Sequence, residues 1–142
     1  MPEILQSHSL PYSAQAMYQL VNDIERYPEF LPGCAAAQIL SQEEGRLSAK
    51  VTLQKGPMAL SFTTQNIVEP NQKIKMDLLE GPFEYLTGEW TFEDEGQGSL
   101  LKLMLSFQLK GGLFQRMVSP LFEKFSDQLL SVFVQRAHDI YG

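Results

Sequence analysis

The sequence predicts an α+β domain in which a curved antiparallel sheet wraps around a long C-terminal helix, with short helices after the first strand. Three observations carry this. From Cys34 to Lys110 apolar and polar residues alternate, the mark of half-buried antiparallel strands. Turn signals interrupt that stretch at Glu44-Gly45, Lys55-Gly56-Pro57, Pro70-Asn71, Gly81-Pro82 and Gly96-Gln97-Gly98. After Gly111-Gly112 the apolar period lengthens to three or four and stays so to about Tyr141.

Glu3 to Leu10 reads as a first strand, broken by Pro11-Tyr12-Ser13. Ser13 is an N-cap candidate for a helix from about Ala14 to Arg26, because its hydroxyl can accept from an orphan N–H of the first turn. Met17, Leu20, Val21 and Ile24 form the apolar stripe of that helix. Pro28 ends it, since the residue before proline avoids helical backbone, and opens a very short second helix through Phe30 and Leu31. Pro32-Gly33 stops the chain there. About six strands follow. Leu47, Ala49, Val51 and Leu53 face one way; so do Leu60, Phe62, Thr64, Asn66 and Val68, and Ile74, Met76 and Leu78. Leu86, Gly88, Trp90 and Phe92, then Leu101 through Leu109 on alternate positions, complete the apolar face. The last helix carries Phe114, Met117, Val118, Leu121, Phe122, Phe125, Leu129, Val132, Phe133, Arg136, Ala137 and Ile140 at helical spacing. Pro120 inside it predicts a kink, or two helices with Ser119 capping the second. A helix with one apolar stripe and a sheet with one apolar face bury each other. Where the curved sheet diverges from the helix, an apolar cavity is expected, closed by loops and by the short N-terminal helices.

The chain has 142 residues, which fits one domain over 1–142. No apolar run reaches the roughly 20 residues of a membrane span. The N-terminus lacks the basic and apolar regions of a secretory signal, so a cytoplasmic location is expected. A single cysteine, Cys34, rules out an internal disulfide and a cysteine-based zinc site. The net charge of −6 disfavours non-specific nucleic-acid binding, and no DNA partner is expected. Glu93-Asp94-Glu95, the longest charge run, reads as a solvated hairpin turn.

The run Met17-Tyr18-Gln19-Leu20-Val21-Asn22-Asp23, followed by Tyr27-Pro28-Glu29-Phe30-Leu31-Pro32-Gly33-Cys34, resembles the first signature of the START-like polyketide cyclase/coenzyme Q-binding family. Glu80-Gly81-Pro82-Phe83, with Leu86, Gly88, Trp90 and Phe92 behind it, is similar to the second. Phe62-Thr63-Thr64-Gln65-Asn66 and Asn71-Gln72-Lys73-Ile74 resemble its bacterial branch, that of the ribosome association toxin RatA. Gly33, where many members carry tryptophan, also favours that branch. The resemblance implies the helix-grip fold and two functions. Mitochondrial members bind ubiquinone and support respiration. The bacterial branch is described as binding the large ribosomal subunit and blocking subunit association, which inhibits translation initiation.

The leading expectation is non-enzymatic binding of a hydrophobic quinone- or lipid-like molecule, ubiquinone first, between sheet and helix. The candidate ligand-binding residues are Phe30, Leu31, Phe62, Met76, Leu78, Phe83, Trp90, Phe92, Leu103, Leu105, Met117, Leu121, Phe125 and Leu129. Phe107 and Phe133 extend the two walls. For most single positions plain core is the simpler reading. Phe83 suits a ring at the cavity mouth and a ring tucked into the core equally well. Burial of a prenyl tail would gain about 25 cal/mol per Å² of apolar area removed from water. A carrier of this kind meets the bilayer at least transiently, although no basic amphipathic anchor is present. The alternative is ribosome association through a sheet exterior carrying Lys50, Lys73, Lys75, Lys102 and Lys110 as candidate RNA contacts. Glu89 and Glu93 share that face and weaken it, so an ordinary solubilising face is the simpler reading.

No catalytic residue is evident. His8 and His138 read as a strand-edge histidine and a cation near a helix C-terminus. No metal spacing, nucleophile elbow or phosphate-loop glycine pattern is present, so no cofactor is required. Cys34 lacks a neighbouring base and reads as a small buried thiol. Thr64 and Asn66 are the chief inward polar groups a cyclase-type enzyme could use.

Overall fold

A computed structural model describes residues 3–142 and all their side chains but that of Phe114. Met1 and Pro2, on which the expectation of no leader partly rests, and the Phe114 side chain of the apolar stripe lie outside the described residues.

The first strand, β1 (Glu3–Leu10), is followed by α1 (Ala14–Asn22). The Ser13 hydroxyl accepts from the Ala16 N–H at 3.1 Å, the expected cap, and Asp94 accepts from the Ala14 N–H at 3.1 Å. The helix stops four residues short of Arg26, and the chain tightens into a 3₁₀ turn, η1 (Ile24–Glu29). The Tyr27 hydroxyl donates to the Val21 carbonyl. That carbonyl would otherwise accept from the next helical turn, so the phenol takes over as the helix ends. Pro28 sits inside η1 rather than opening a helix, and Phe30 and Leu31 lie in the connection beyond it.

Six strands follow: β2 (Cys34–Glu43), β3 (Arg46–Lys55), β4 (Met58–Glu69), β5 (Lys73–Glu80), β6 (Phe83–Glu95) and β7 (Gly98–Leu109). With β1 they make one antiparallel sheet in the order β1-β7-β6-β5-β4-β3-β2. Register irregularities interrupt β2–β3, the Thr63/Thr64 step of β4–β5, and the Phe83/Tyr85 step of β6–β7. Such bulges bend a strand and increase its twist, which lets the sheet curve. The Glu93-Asp94-Glu95 run ends β6 and is tied to three neighbours rather than merely solvated. Glu93 pairs with Lys102 at 3.3 Å, Asp94 holds α1, and Glu95 accepts from the Ser9 hydroxyl at 3.0 Å.

The last element, α2 (Leu113–Tyr141), is a single 29-residue helix. Pro120 lies within it and does not divide it, and Ser119 caps nothing. Val118 and Phe122, on either side of the proline, are both 1% exposed. Their burial against the sheet offsets the lost proline hydrogen bond. One main core fills the space between α2, α1 and the inner face, including Met17, Leu53, Trp90, Leu101, Leu103, Phe122 and Phe133. Ile24, Leu47 and Ala49 form a smaller cluster beneath η1.

Candidate functional site

Between the sheet and the middle of α2 the two layers part and leave a cavity of about 70 Å³. Its sheet side is built from Ala49 and Val51 of β3, Phe62, Thr64 and Asn66 of β4, Met76 of β5, Leu86, Gly88 and Trp90 of β6, and Leu105 of β7. Phe122, Phe125, Leu129 and Phe133 of α2 face them, and Ile24 and Tyr27 of η1 close the space. Strand alternation explains the sheet side: each contributing residue is an inward one of its strand. Gly88 helps to keep the floor open. A Cβ there would lie 2.8 Å from the Met76 methyl and 3.0 Å from Leu105 Cδ1.

The lining is aromatic and aliphatic except for one polar pair. The Thr64 hydroxyl donates to the Asn66 side-chain oxygen at 2.8 Å, with both residues buried. This leaves the Asn66 amide NH₂ available to a guest, the sort of isolated polar group that orients a ligand in an apolar pocket. Edge-to-face rings stiffen the opposite wall. Phe133 meets Tyr27 at 5.4 Å, Phe30 at 5.4 Å and Trp90 at 5.2 Å between centroids. Burial, then the neighbouring Cys34 and Asp23, push the Tyr27 hydroxyl well above the usual phenol range. It remains a neutral donor, spent on Val21.

Of the fourteen candidate ligand residues, Phe62, Met76, Trp90, Leu105, Phe125 and Leu129 line the cavity together, as does Phe133. The others lie elsewhere. Leu31, Phe92 and Leu103 are buried in the surrounding core. Phe83 is also core, 3% exposed and edge-to-face with Phe62 and Phe122, not a ring at the mouth. Phe30 packs on Phe133, with the Arg136 guanidinium 4.6 Å from its ring centre. Leu78 is partly buried beside Gly81, and Met117 is 48% exposed. Leu121 lines a second space. This outer cleft, about 250 Å³, lies between α2 and the start of the sheet and is bordered by Pro32, Gly33, Leu53, Gln54, Lys55, Leu121, Lys124, Phe125 and Gln128. Sequence reasoning left Ile24, Tyr27, Ala49, Val51, Leu86, Gly88 and Phe122 out of the ligand set. The inward alternation of β3 and β6 already carried the signal for Ala49, Val51, Leu86 and Gly88. The expected closure by the short N-terminal helices is met by Ile24 and Tyr27 of η1, although neither residue was singled out.

The exterior lysines sit among acids. Lys73 pairs with Glu89 at 3.5 Å and Glu69 at 3.9 Å, and Lys102 pairs with Glu93. Lys50, Lys75 and Lys110 make no ion pair among the described residues. Their face is therefore mixed in sign rather than uniformly basic. His8 is exposed on the edge strand β1, and the Tyr12 hydroxyl lies 2.8 Å from His138 Nδ1. Cys34 is buried, its thiol donates to the Ala36 carbonyl, and burial pushes that thiol up to about 11, partly opposed by the Ala36 backbone. The reactive thiolate is correspondingly depleted at neutral pH. Iodoacetamide will accordingly modify Cys34 in the native protein at least tenfold more slowly than in the urea-unfolded chain, as read by intact mass; equal rates would contradict the burial.

Residues 10–134 match the family model described as polyketide cyclase / dehydrase and lipid transport. The chain belongs to this family. It is 41% identical to the ribosome association toxin RatA of Pseudomonas aeruginosa, over 98% of this chain and 97% of that one. It is 26% identical to the mitochondrial coenzyme Q-binding protein COQ10 homolog B of Xenopus laevis, over 99% of this chain and 59% of that one. Among solved structures, a START superfamily protein from Mycobacterium smegmatis superposes with a TM-score of 0.80 at 20% identity, covering 97% of this chain and 98% of that one. The START-like helix-grip fold expected from the sequence is thus the fold observed. The RatA branch suggested by Phe62-Thr63-Thr64-Gln65-Asn66, Asn71-Gln72-Lys73-Ile74 and Gly33 is also where the stronger sequence similarity lies.

Proposed function

We propose that this family member associates with the ribosome in the manner for which its RatA relatives are named, acting through its outer surface. The single observation carrying this is 41% identity that runs essentially end to end in both chains. The coenzyme Q-binding relative shares far less. That difference reverses the order set by the sequence, in which ligand binding stood first. Lys50, Lys75 and Lys110, which make no ion pair among the described residues, are the best phosphate contacts of the candidate set, because Lys73 and Lys102 already hold carboxylates. The test is co-sedimentation with purified ribosomal subunits across a salt series. The wild-type protein is expected to travel with the large subunit. Lys50→Glu/Lys75→Glu is expected to weaken the association and lower the slope of log affinity against log salt by about two. Absence of co-sedimentation at low salt would overturn the proposal.

A second reading, binding of an apolar molecule, is favoured by the cavity and its buried Thr64–Asn66 pair. At about 70 Å³ the cavity would hold roughly two waters. It is about half the volume of a cavity that admits benzene. A ubiquinone ring would therefore have to displace flexible or ring side chains such as Met76 and Phe125. Native mass spectrometry of protein from its own host distinguishes this reading: a co-purifying quinone supports it, and Met76→Lys, a lining position, should abolish the adduct. Leu78→Lys, outside the lining, should leave it largely intact.

A further inference from the structure

Phe125 belongs to two spaces at once. It borders both the apolar cavity and the outer cleft. The cleft differs from the cavity in chemistry. It is larger, about 250 Å³ against about 70 Å³, and its rim carries Lys55 at the end of β3 and Lys124 on α2. Both lysines are exposed, and neither makes an ion pair among the described residues. Two cations without an ion pair thus stand on the rim beside the Phe125 ring. Gln54 and Gln128 add neutral hydrogen-bonding groups to the same rim.

We infer that the cleft and the cavity form one bipartite site for a single-chain anionic amphiphile, with the anionic head between Lys55 and Lys124 and the chain running past Phe125 toward Trp90. Joined, the two spaces reach the lower end of the roughly 300–1,000 Å³ typical of small-molecule sites, which the cavity alone does not. The Phe125 ring is the partition a guest must displace, and a ring at the boundary of two cavities can rotate aside without unfolding α2. A carboxylate and a phosphate monoester share the head chemistry the lysines would accept. The inference deepens the apolar-ligand reading and is independent of ribosome association.

Trp90 is the only tryptophan in the chain and lines the inner cavity, so it reports how far the chain penetrates. The experiment follows its fluorescence while dodecanoate, dodecyl phosphate and uncharged dodecanol are added below their aggregation thresholds at low salt. Both anions are expected to bind, and dodecanol about tenfold more weakly. Lys55→Glu/Lys124→Glu should bring the anions down to the dodecanol level while leaving the thermal unfolding midpoint unchanged. A bromine on the last carbon of the carboxylate chain should quench Trp90, and a bromine beside the carboxylate should not. If none of the three molecules binds, the apolar-ligand reading itself fails. If dodecanol binds as well as the anions, or charge reversal has no effect, the cationic head site is overturned while the cavity reading survives. If the bromine beside the carboxylate is the better quencher, the proposed orientation is wrong.

Discussion

Phe133→Ala will lower the unfolding free energy by about 3–5 kcal/mol, the range for removing a buried aromatic ring. Phe133 is fully buried and sits at the junction of Tyr27, Phe30 and Trp90, with centroid distances of 5.2–5.4 Å. Three features place the loss toward the upper end. The ring lines a cavity that is already present, so its removal enlarges a void rather than opening an isolated one. The neighbours are rings held by the sheet and by η1, which limits collapse into the gap. The T-shaped contacts add roughly 0.5–1.5 kcal/mol each beyond area burial. Equilibrium urea unfolding followed through Trp90 measures the change, and a loss below 1 kcal/mol would show that the site repacks freely. Phe133→Leu should lose distinctly less, because it keeps most of the volume.

Gly98→Ala is expected to be nearly as damaging for a different reason. A Cβ at Gly98 would lie 2.0 Å from the Leu10 carbonyl oxygen and 3.0 Å from both Leu10 C and Pro11 Cα. These are backbone atoms and cannot swing aside as a side-chain terminus would. Leu10 is paired with Ser99 in the β1–β7 ladder, and it leads into the Ser13 cap of α1. Relief of the clash therefore shifts the end of β1 and the start of α1 together. The cost should reach the top of the roughly 1–3 kcal/mol typical of overpacking, or exceed it. Scanning calorimetry should record a fall in midpoint of several degrees. Gly111→Ala is the control: its Cβ would meet only the Gln115 side-chain oxygen at 3.7 Å, and its midpoint should hardly move.

Local patterning was decisive wherever one face of an element is buried along its whole length. The alternation Leu101, Leu103, Leu105, Phe107, Leu109 reappears as five buried residues of β7, and Leu47 through Leu53 do the same on β3. The predicted turns all join neighbouring strands, because hairpins leave consecutive strands little choice of partner. Local rules misplaced the end of α1 and left open whether Pro120 divides the last helix. At the first, the phenol of Tyr27 in the next turn competes for a helical carbonyl; at the second, burial on both sides of the proline keeps one helix across it. The candidate site shows the same division. Phe62, Met76, Trp90 and Leu105 were legible as inward residues, and Phe125 and Leu129 as members of the apolar stripe of α2. That Leu103 would be solid core while Leu105 borders a void was not legible, since both are inward residues of one strand.

The secondary-structure order, the inward face of the sheet and the branch of the family were readable from periodicity and short motifs, which are properties of the chain alone. Where the layers part, how little room they leave, and that Phe125 borders both that room and a cationic cleft emerged only once the elements were packed. A void is what remains when curvature, helix crossing and side-chain volume fail to cancel, and no single segment contains all three.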